Sequence, residues 1–322
     1  MTCNLLSSNA LTFSQSIITM VLVNAMVLTF RPVSRRLNAP SKTSWNILAN
    51  ALDLVFNLRG IGWDFLENTH LPPNPATKMS RPVFVLYGLA LNLYNLIVFD
   101  VFVYAGQSLG QGTFASPQGG SLFDPSRSFM FNFAKSALVT LLWVPVLMYG
   151  TRLSYTILSI VAVGVFGQDP SLWPPLYHMP GLSTSLAEFW GKRWHQLFRI
   201  DFHYAISYPL SLVFGRVGYV LGAFALSAWI HFAAVIAIGK GTDHGVNVTF
   251  IMMGVGILLE NMWKKMTGKK PSGFLGWIWT ASWCLVWTIP YIEAMARVGY
   301  MGAEFVPHEI RPTTLLFGLF GR

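Results

Sequence analysis

Residues 217–238 read VGYVLGAFALSAWIHFAAVIAI, twenty-two residues without a charged side chain and with a single histidine, His231. A helix that crosses the hydrocarbon of a bilayer needs about 20 mostly apolar residues, so this stretch has the length of one span. Besides His231, Tyr219 is the one titratable side chain in it. An imidazole at that depth is expensive unless it has a partner, and it marks a functional position by default. The plain alternative is a histidine that hydrogen-bonds a neighbouring helix and only packs. In the functional reading the neutral ring is the useful form, because it accepts a proton.

The rest of the chain has the same character. Of 322 residues 53% are hydrophobic, 15% aromatic and 11% charged, with a mean hydropathy of +0.49. Soluble domains carry about 25% charged residues, so too few polar groups are present to cover a water-exposed surface. Further runs of span length are Val83 to Ala105, Phe129 to Tyr149, Val246 to Trp263 and Phe274 to Ala294. Leu11 to Phe30 is weaker and Leu153 to Phe166 is short. The expectation is one all-α, polytopic membrane domain over residues 1–322 with about 6–8 transmembrane helices. No cationic segment precedes Leu11, which predicts an uncleaved first anchor.

The net charge of +9 follows membrane flanks rather than a nucleic-acid surface. Arg31, Arg35, Arg36, Lys42, Arg59, Lys78 and Arg81 stand against Asp53, Asp64 and Glu67, and Lys264, Lys265, Lys269 and Lys270 form a second basic loop. The positive-inside rule places both in the cytosol. Leu153–Phe166 and Tyr204–Phe214 read as half-spans or re-entrant segments, which leaves the parity of crossings open. Two cysteines, Cys3 and Cys284, make neither a disulfide framework nor a zinc site, and no metal is expected.

A second feature lies upstream of His231. Ser185-Leu186-Ala187-Glu188 fits a capping box, in which Ser185 accepts the Glu188 N–H and Glu188 reaches back. A helix is expected from there, with Leu186, Phe189, Trp190, Trp194, Leu197 and Phe198 on one stripe and Lys192, His195, Gln196 and Arg199 on another. Such a helix either lies at the headgroups, with its cations on lipid phosphate, or uses Lys192, Arg193 and Arg199 to bind the phosphates of a soluble donor such as acyl-CoA. In the second case His195 points toward the reacting end. Asp100, Lys135, Glu260 and Glu293 are expected to snorkel or pair between helices, and Asp201 and His203 to be interfacial.

Several chemistries are poor fits. There is no Gly-x-Ser-x-Gly elbow and no phosphate loop, and none of the seven histidines starts a His-x-x-x-Asp motif. A transporter, with His231 as relay or gate, competes as a class, but the matched internal repeat of many transporters is not seen.

The block Glu188-Phe-Trp-Gly-Lys-Arg-Trp-His-Gln196, followed about 35 residues later by His231 in an apolar helix, resembles the wax synthase branch of the membrane-bound O-acyltransferases. Arg59-Gly-Ile-Gly-Trp-Asp-Phe65 looks like an element of fungal members that acetylate terpenoids and other secondary metabolites. The likeness runs from about residue 50 to about 300. It implies His231 as general base and His195 as the other signature position, with Trp190, Lys192, Arg193, Trp194 and Arg199 around the substrates. It also implies acyl-CoA, most simply acetyl-CoA, as co-substrate without a bound cofactor. The acceptor it implies is a hydrophobic alcohol, and the setting it implies is a lipid bilayer, that of the endoplasmic reticulum. Long-chain transfer to fatty alcohols is the alternative within the branch. Many members outside it carry an acid directly after the histidine, whereas Phe232 follows here, so a mechanism needing that acid is not expected.

Overall fold

The computed structural model describes residues 53, 57, 59–63, 70–238 and 241–320. The expected first anchor, Leu11–Phe30, and most of the basic segment 31–82 lie outside them. Six longer helices follow one another among the described residues: α1 (Arg81–Ser108), α2 (Phe129–Gly164), α3 (Tyr208–Ala237), α4 (Gly245–Thr267), α5 (Gly273–Arg297) and α6 (Pro312–Phe320). The all-helical expectation holds. Four stretches are long and apolar enough to cross a membrane: Arg81–Ser108, Phe129–Gly164, Arg199–Ala237 and Gly245–Thr267. Large apolar side chains such as Leu86, Leu93, Phe129 and Val213 are exposed on them, as lipid-facing positions are.

The described residues fall into two compact units. One contains residues 73–175, 241–249 and 284–320. Here α1 and α2 run antiparallel, since Gly88 faces Ile160 near one end while Gly106 faces Trp143 near the other. A methyl group on Gly106 would collide with the Trp143 indole, so the small residue sets how closely the helices approach. The short run Leu153–Phe166 is no separate half-span but the continuation of α2 to Gly164, past Pro145.

Charge in this unit is buried only with partners. The Asp100 carboxylate, 1% exposed, accepts from Arg311 Nε at 2.6 Å, Thr313 N at 2.7 Å and Thr313 Oγ1 at 2.7 Å. Gln107 in turn donates to the carbonyls of Met301 and Ala303, so α1 holds the chain that leads into α6. Glu293 accepts from Ser121 Oγ, Leu122 N and Arg297 Nε, and Lys135 lies over the Phe114 ring. Asp100 and Glu293 thus pair between segments, as expected of acids in apolar runs.

The other unit contains the described residues up to Pro72, residues 176–238 and residues 250–283. Its distinguishing element is a fold-back. Residues 199–214 pass through the turn Arg199–Phe202 and a π-helical segment His203–Ser207 into the start of α3, which breaks at Gly215 (φ 55°, ψ −139°). Beyond the break the chain reverses. Gly218 lies against the Leu210 carbonyl, Gly222 against Ile206 and Leu210, and His203 Nδ1 is 3.1 Å from the Tyr219 hydroxyl. Side chains at 218 and 222 would push the two limbs apart, as in the small-residue crossings of membrane helices. The second limb, residues 216–237, is about 33 Å long at 1.5 Å per residue, enough for the hydrocarbon core. Tyr204–Phe214 is therefore the re-entrant limb of a hairpin.

Helix α4 packs on α3 at Gly254, which touches Phe224, and on α5 at Gly256, beside Trp283, whose indole donates to the Met252 carbonyl at 3.0 Å. Replacing Asp100 with Asn removes the charge that Arg311 pairs with. The expected outcome is a loss of roughly 3–5 kcal/mol, the range for breaking a buried pair from one side. Thermal unfolding of the detergent-solubilised protein checks it, with the KM of the surviving folded enzyme unchanged.

Candidate active site

Between α4 and α5 sits the segment that the capping box announced. Ser185 Oγ accepts the Glu188 N–H at 3.1 Å, as expected, but Glu188 reaches Thr184 N at 2.9 Å instead of Ser185 N. The first turn has a second carboxylate as acceptor. Glu260 of α4, 6% exposed, accepts from Leu186 N at 2.6 Å, Ala187 N at 3.1 Å and Trp279 Nε1 at 3.0 Å. Gly256 of α4 and Gly276 of α5 leave room for Leu186 and the Thr184 carbonyl, and Trp277 Nε1 donates to the Gly181 carbonyl at 2.8 Å.

The helix that starts there is short. It runs as Leu186–Glu188, widens into a π-turn over Phe189–Arg193 with Trp194 N bonding Phe189 O, and goes extended at Trp194 (ψ 160°). The expected amphipathic helix reaching Arg199 is thus corrected. Its cause is visible at Gln196, which folds back and donates to the carbonyls of Trp190 at 2.9 Å and Trp194 at 2.8 Å, groups that a longer helix would have paired internally. Lone π-turns of this kind recur at functional sites.

The break redistributes the cations. Arg193 is held by Glu188 Oε1 at 2.7 Å and by the carbonyls of His178 and Met179, so it ties the π-turn to residues 178–179. Lys192 and Arg199 are exposed, the latter also touching the Gly191 carbonyl. His70 and His178 join them: partial desolvation first, then the charges of Lys192, His178, Arg199 and Arg193, lowers His70 below its ordinary value. Five cationic or ionisable groups therefore gather at this face. Asp201, expected at the interface, is buried at 1% exposure, and His203 is engaged by Tyr219.

Inward from that face runs a chain of rings. Tyr177 meets His195 and Trp194 edge-on, Trp194 meets Trp190, Trp190 meets Phe224 and Phe250, and Phe250 lies 4.2 Å from the His231 ring at 31°. His231 Nδ1 is 2.8 Å from the Ser227 carbonyl, one turn earlier on α3. A carbonyl only accepts, so Nδ1 carries the proton and the lone pair sits on Nε2. His195 lies within electrostatic reach of His231 and of Arg59. Burial, followed by those two groups, depresses it from 6.5 to about 3. The sequence pair His195 and His231 is thus brought together in one unit.

Two participants carried no functional weight in the sequence. Glu260 read as a pairing acid, because its backbone partners are 73 and 74 residues away. Arg59 was only part of a family element. It is buried at 5% exposure on a turn that Gly60 and Gly62 enter with positive φ and that Asn57 closes by bonding Ile61 through both side-chain atoms.

Residues 173–253, which hold most of these groups, match the model of the membrane bound O-acyl transferase family. Over that segment the chain is similar to the membrane-bound O-acyltransferases. The chain is 26% identical over 273 residues to acetyltransferase ataH of Aspergillus terreus, covering 76% of this chain and 86% of that protein. It is 24% identical over 284 residues to acetyltransferase eriL of Hericium erinaceus, covering 82% and 70%. Against acetyltransferase spyB of Aspergillus fumigatus the identity is 25% over 171 residues, 44% of this chain and 29% of that protein. No solved structure matches.

The depressed His195 yields a stability test. A histidine neutral in the folded protein but titrating near 6.5 when unfolded lets the unfolded chain bind the extra proton, so stability falls as pH drops from about 6.5 toward 3. His195→Asn removes that contribution. Its unfolding midpoint is expected to fall less steeply between pH 7 and 5 than that of the wild type, measured by intrinsic fluorescence in detergent.

Proposed function

We propose that this acyltransferase moves an acetyl group from acetyl-CoA to a hydroxyl on a rigid, hydrophobic metabolite such as a terpenoid, in the membrane of the endoplasmic reticulum. The observation that carries the reading is the His231 Nδ1 contact with the Ser227 carbonyl, which sets the tautomer whose basic nitrogen is Nε2 inside an apolar helix. Lys192 and Arg199, with His178 and His70 beside them, bind the phosphates of the donor at the cationic face. Arg193 acts with Glu188 to hold the π-turn, and Trp190, Trp194 and His195 surround the thioester end.

In the reaction His231 Nε2 takes the proton of the acceptor hydroxyl while its oxygen attacks the thioester carbonyl. The carbonyl π pair moves onto oxygen, then returns as the carbon–sulfur bond breaks. The departing thiolate takes the proton from the imidazolium, giving an ester and free coenzyme A. No acyl-enzyme is needed. Acetyl as the transferred group draws on the relatives, which are named acetyltransferases.

His231→Ala is expected to stay folded and membrane-inserted with transfer reduced by at least about 10²-fold, the lower range for general-base catalysis. Radiolabelled thioester turnover and the yield of monodisperse protein must be read separately, since loss of both together returns His231 to helix packing.

The donor is tested by competition between acetyl-CoA and palmitoyl-CoA at equal concentration. A pocket for a long chain gains about 0.8 kcal/mol per buried methylene, so palmitoyl would dominate in a wax ester synthase. Predominantly acetyl esters are expected here, and mainly palmitoyl esters would replace the acetyl reading with the wax ester one.

A further inference from the structure

We infer that Trp190 is a catalytic hydrogen-bond donor, its indole N–H holding the oxygen of the acyl carbonyl as negative charge develops there. The inference rests on the acyl-transfer reading above and adds to it the group that stabilises the tetrahedral intermediate.

An indole nitrogen only donates, and a buried tryptophan normally finds an acceptor for it. Four other tryptophans of this unit follow the rule: Trp63 donates to Asp53, Trp277 to the Gly181 carbonyl, Trp279 to Glu260 and Trp283 to the Met252 carbonyl. Trp190 Nε1 is shielded from solvent and has no acceptor among the described residues. Trp143 in α2 shares that property, but its ring neighbours are Tyr300 and Phe305, with no titratable base among them. A polar group left unmet in a buried setting is destabilising, so the Trp190 N–H, which reaches the proposed base through the shared neighbour Phe250, calls for a ligand that completes it.

Position and rigidity support the same conclusion. Phe250 contacts both the proposed base and the indole, its ring centroid 4.2 Å from that of His231 and 6.4 Å from that of Trp190. Phe189, Trp194 and Phe224 pack the remaining sides of the indole at centroid distances of 5.0, 5.7 and 5.6 Å. Gln196 pins the Trp190 carbonyl, so the backbone that carries the ring is fixed as well. The donor is therefore oriented before substrate arrives, the condition under which it favours the charged intermediate over the neutral thioester. His195 Nδ1, at the exit of the same π-turn, is likewise buried with no partner among the described residues.

The bond changes are those of the transfer itself. As the acceptor oxygen bonds to the carbonyl carbon, the π pair moves onto the carbonyl oxygen, which Trp190 N–H then holds more tightly. No proton leaves the indole. When the C=O bond re-forms, the C–S bond breaks and the sulfur takes its proton from His231.

The test compares the wild type with Trp190→Phe and with the chain carrying 3-benzothienylalanine at position 190, introduced by nonsense suppression. The second replacement keeps the bicyclic shape and exchanges N–H for sulfur, so it holds the packing even where phenylalanine does not. In both, kcat is expected to fall by about 10²-fold, the effect of losing one such donor, with the KM for the thioester unchanged. Two non-reacting probes separate the role from packing. Trifluoroacetonyl-CoA, a thioether ketone whose hydrate mimics the tetrahedral centre, should bind the benzothienyl protein more weakly than the wild type by a similar factor. S-ethyl-CoA, which has no carbonyl, should bind both equally. Full kcat in the benzothienyl protein, or equal affinity for the ketone, overturns the role of Trp190 while transfer by the wild type still stands. If the wild type binds neither probe and consumes no acyl-CoA, the acyl-transfer reading and this inference fall together.

Discussion

One carboxylate carries the architecture around the two histidines. Glu260 projects from an apolar helix and receives the first two backbone N–H groups of the Leu186 turn together with the Trp279 indole. A helix start has unpaired N–H groups and a positive end, and a buried carboxylate is stable only where such donors surround it. Each therefore requires the other. Because α4 supplies the acid and α5 the indole that holds it, the turn leading into the π-turn of Trp190, Lys192 and Arg193 is fixed at Leu186 and Ala187.

From that anchor the chain has little freedom. The π-turn closes on Phe189, Gln196 takes up two carbonyls as the helix ends, and Arg193 bridges to residues 178 and 179. The consequence is a division of labour among side chains that look alike in sequence. Arg193 stabilises the segment, Lys192 and Arg199 remain exposed, and His195 is drawn inward beside Arg59 and His231. The proposed donor site and the proposed proton-transfer site are then the outer and inner ends of one ring-lined path.

The hairpin at Gly215 serves the other reactant. A continuous helix over residues 199–237 would be far longer than a bilayer needs, about 58 Å at 1.5 Å per residue. The reversal instead packs a limb with His203, Tyr204 and Tyr208 against the limb with Tyr219, placing a cluster of amphipathic rings on the same helix as His231. Gly218 and Gly222 make this possible because the limbs approach backbone to backbone there. In the proposed reaction this helix is the one whose far limb meets lipid, the phase from which a hydrophobic alcohol would arrive.

What the sequence determined by itself was the solvent and the parts. Apolar length needs no partner to be read, so four of the spans, the all-helical class and His231 in the run 217–238 were legible, as was the Ser185 cap, which is local. The family block was legible because its residues are contiguous. The tertiary structure alone decided where the helix after Ser185 ends, that 199–214 doubles back, and which cation is exposed. It also decided that Glu260 and Arg59 belong to the site. Periodicity assumes a continuous helix, and it fails where a side chain such as Gln196 or a glycine such as Gly215 gives the backbone another way to satisfy its hydrogen bonds or its sterics. Partners 73 residues apart leave no trace in local pattern, since only the packing of helices brings them together.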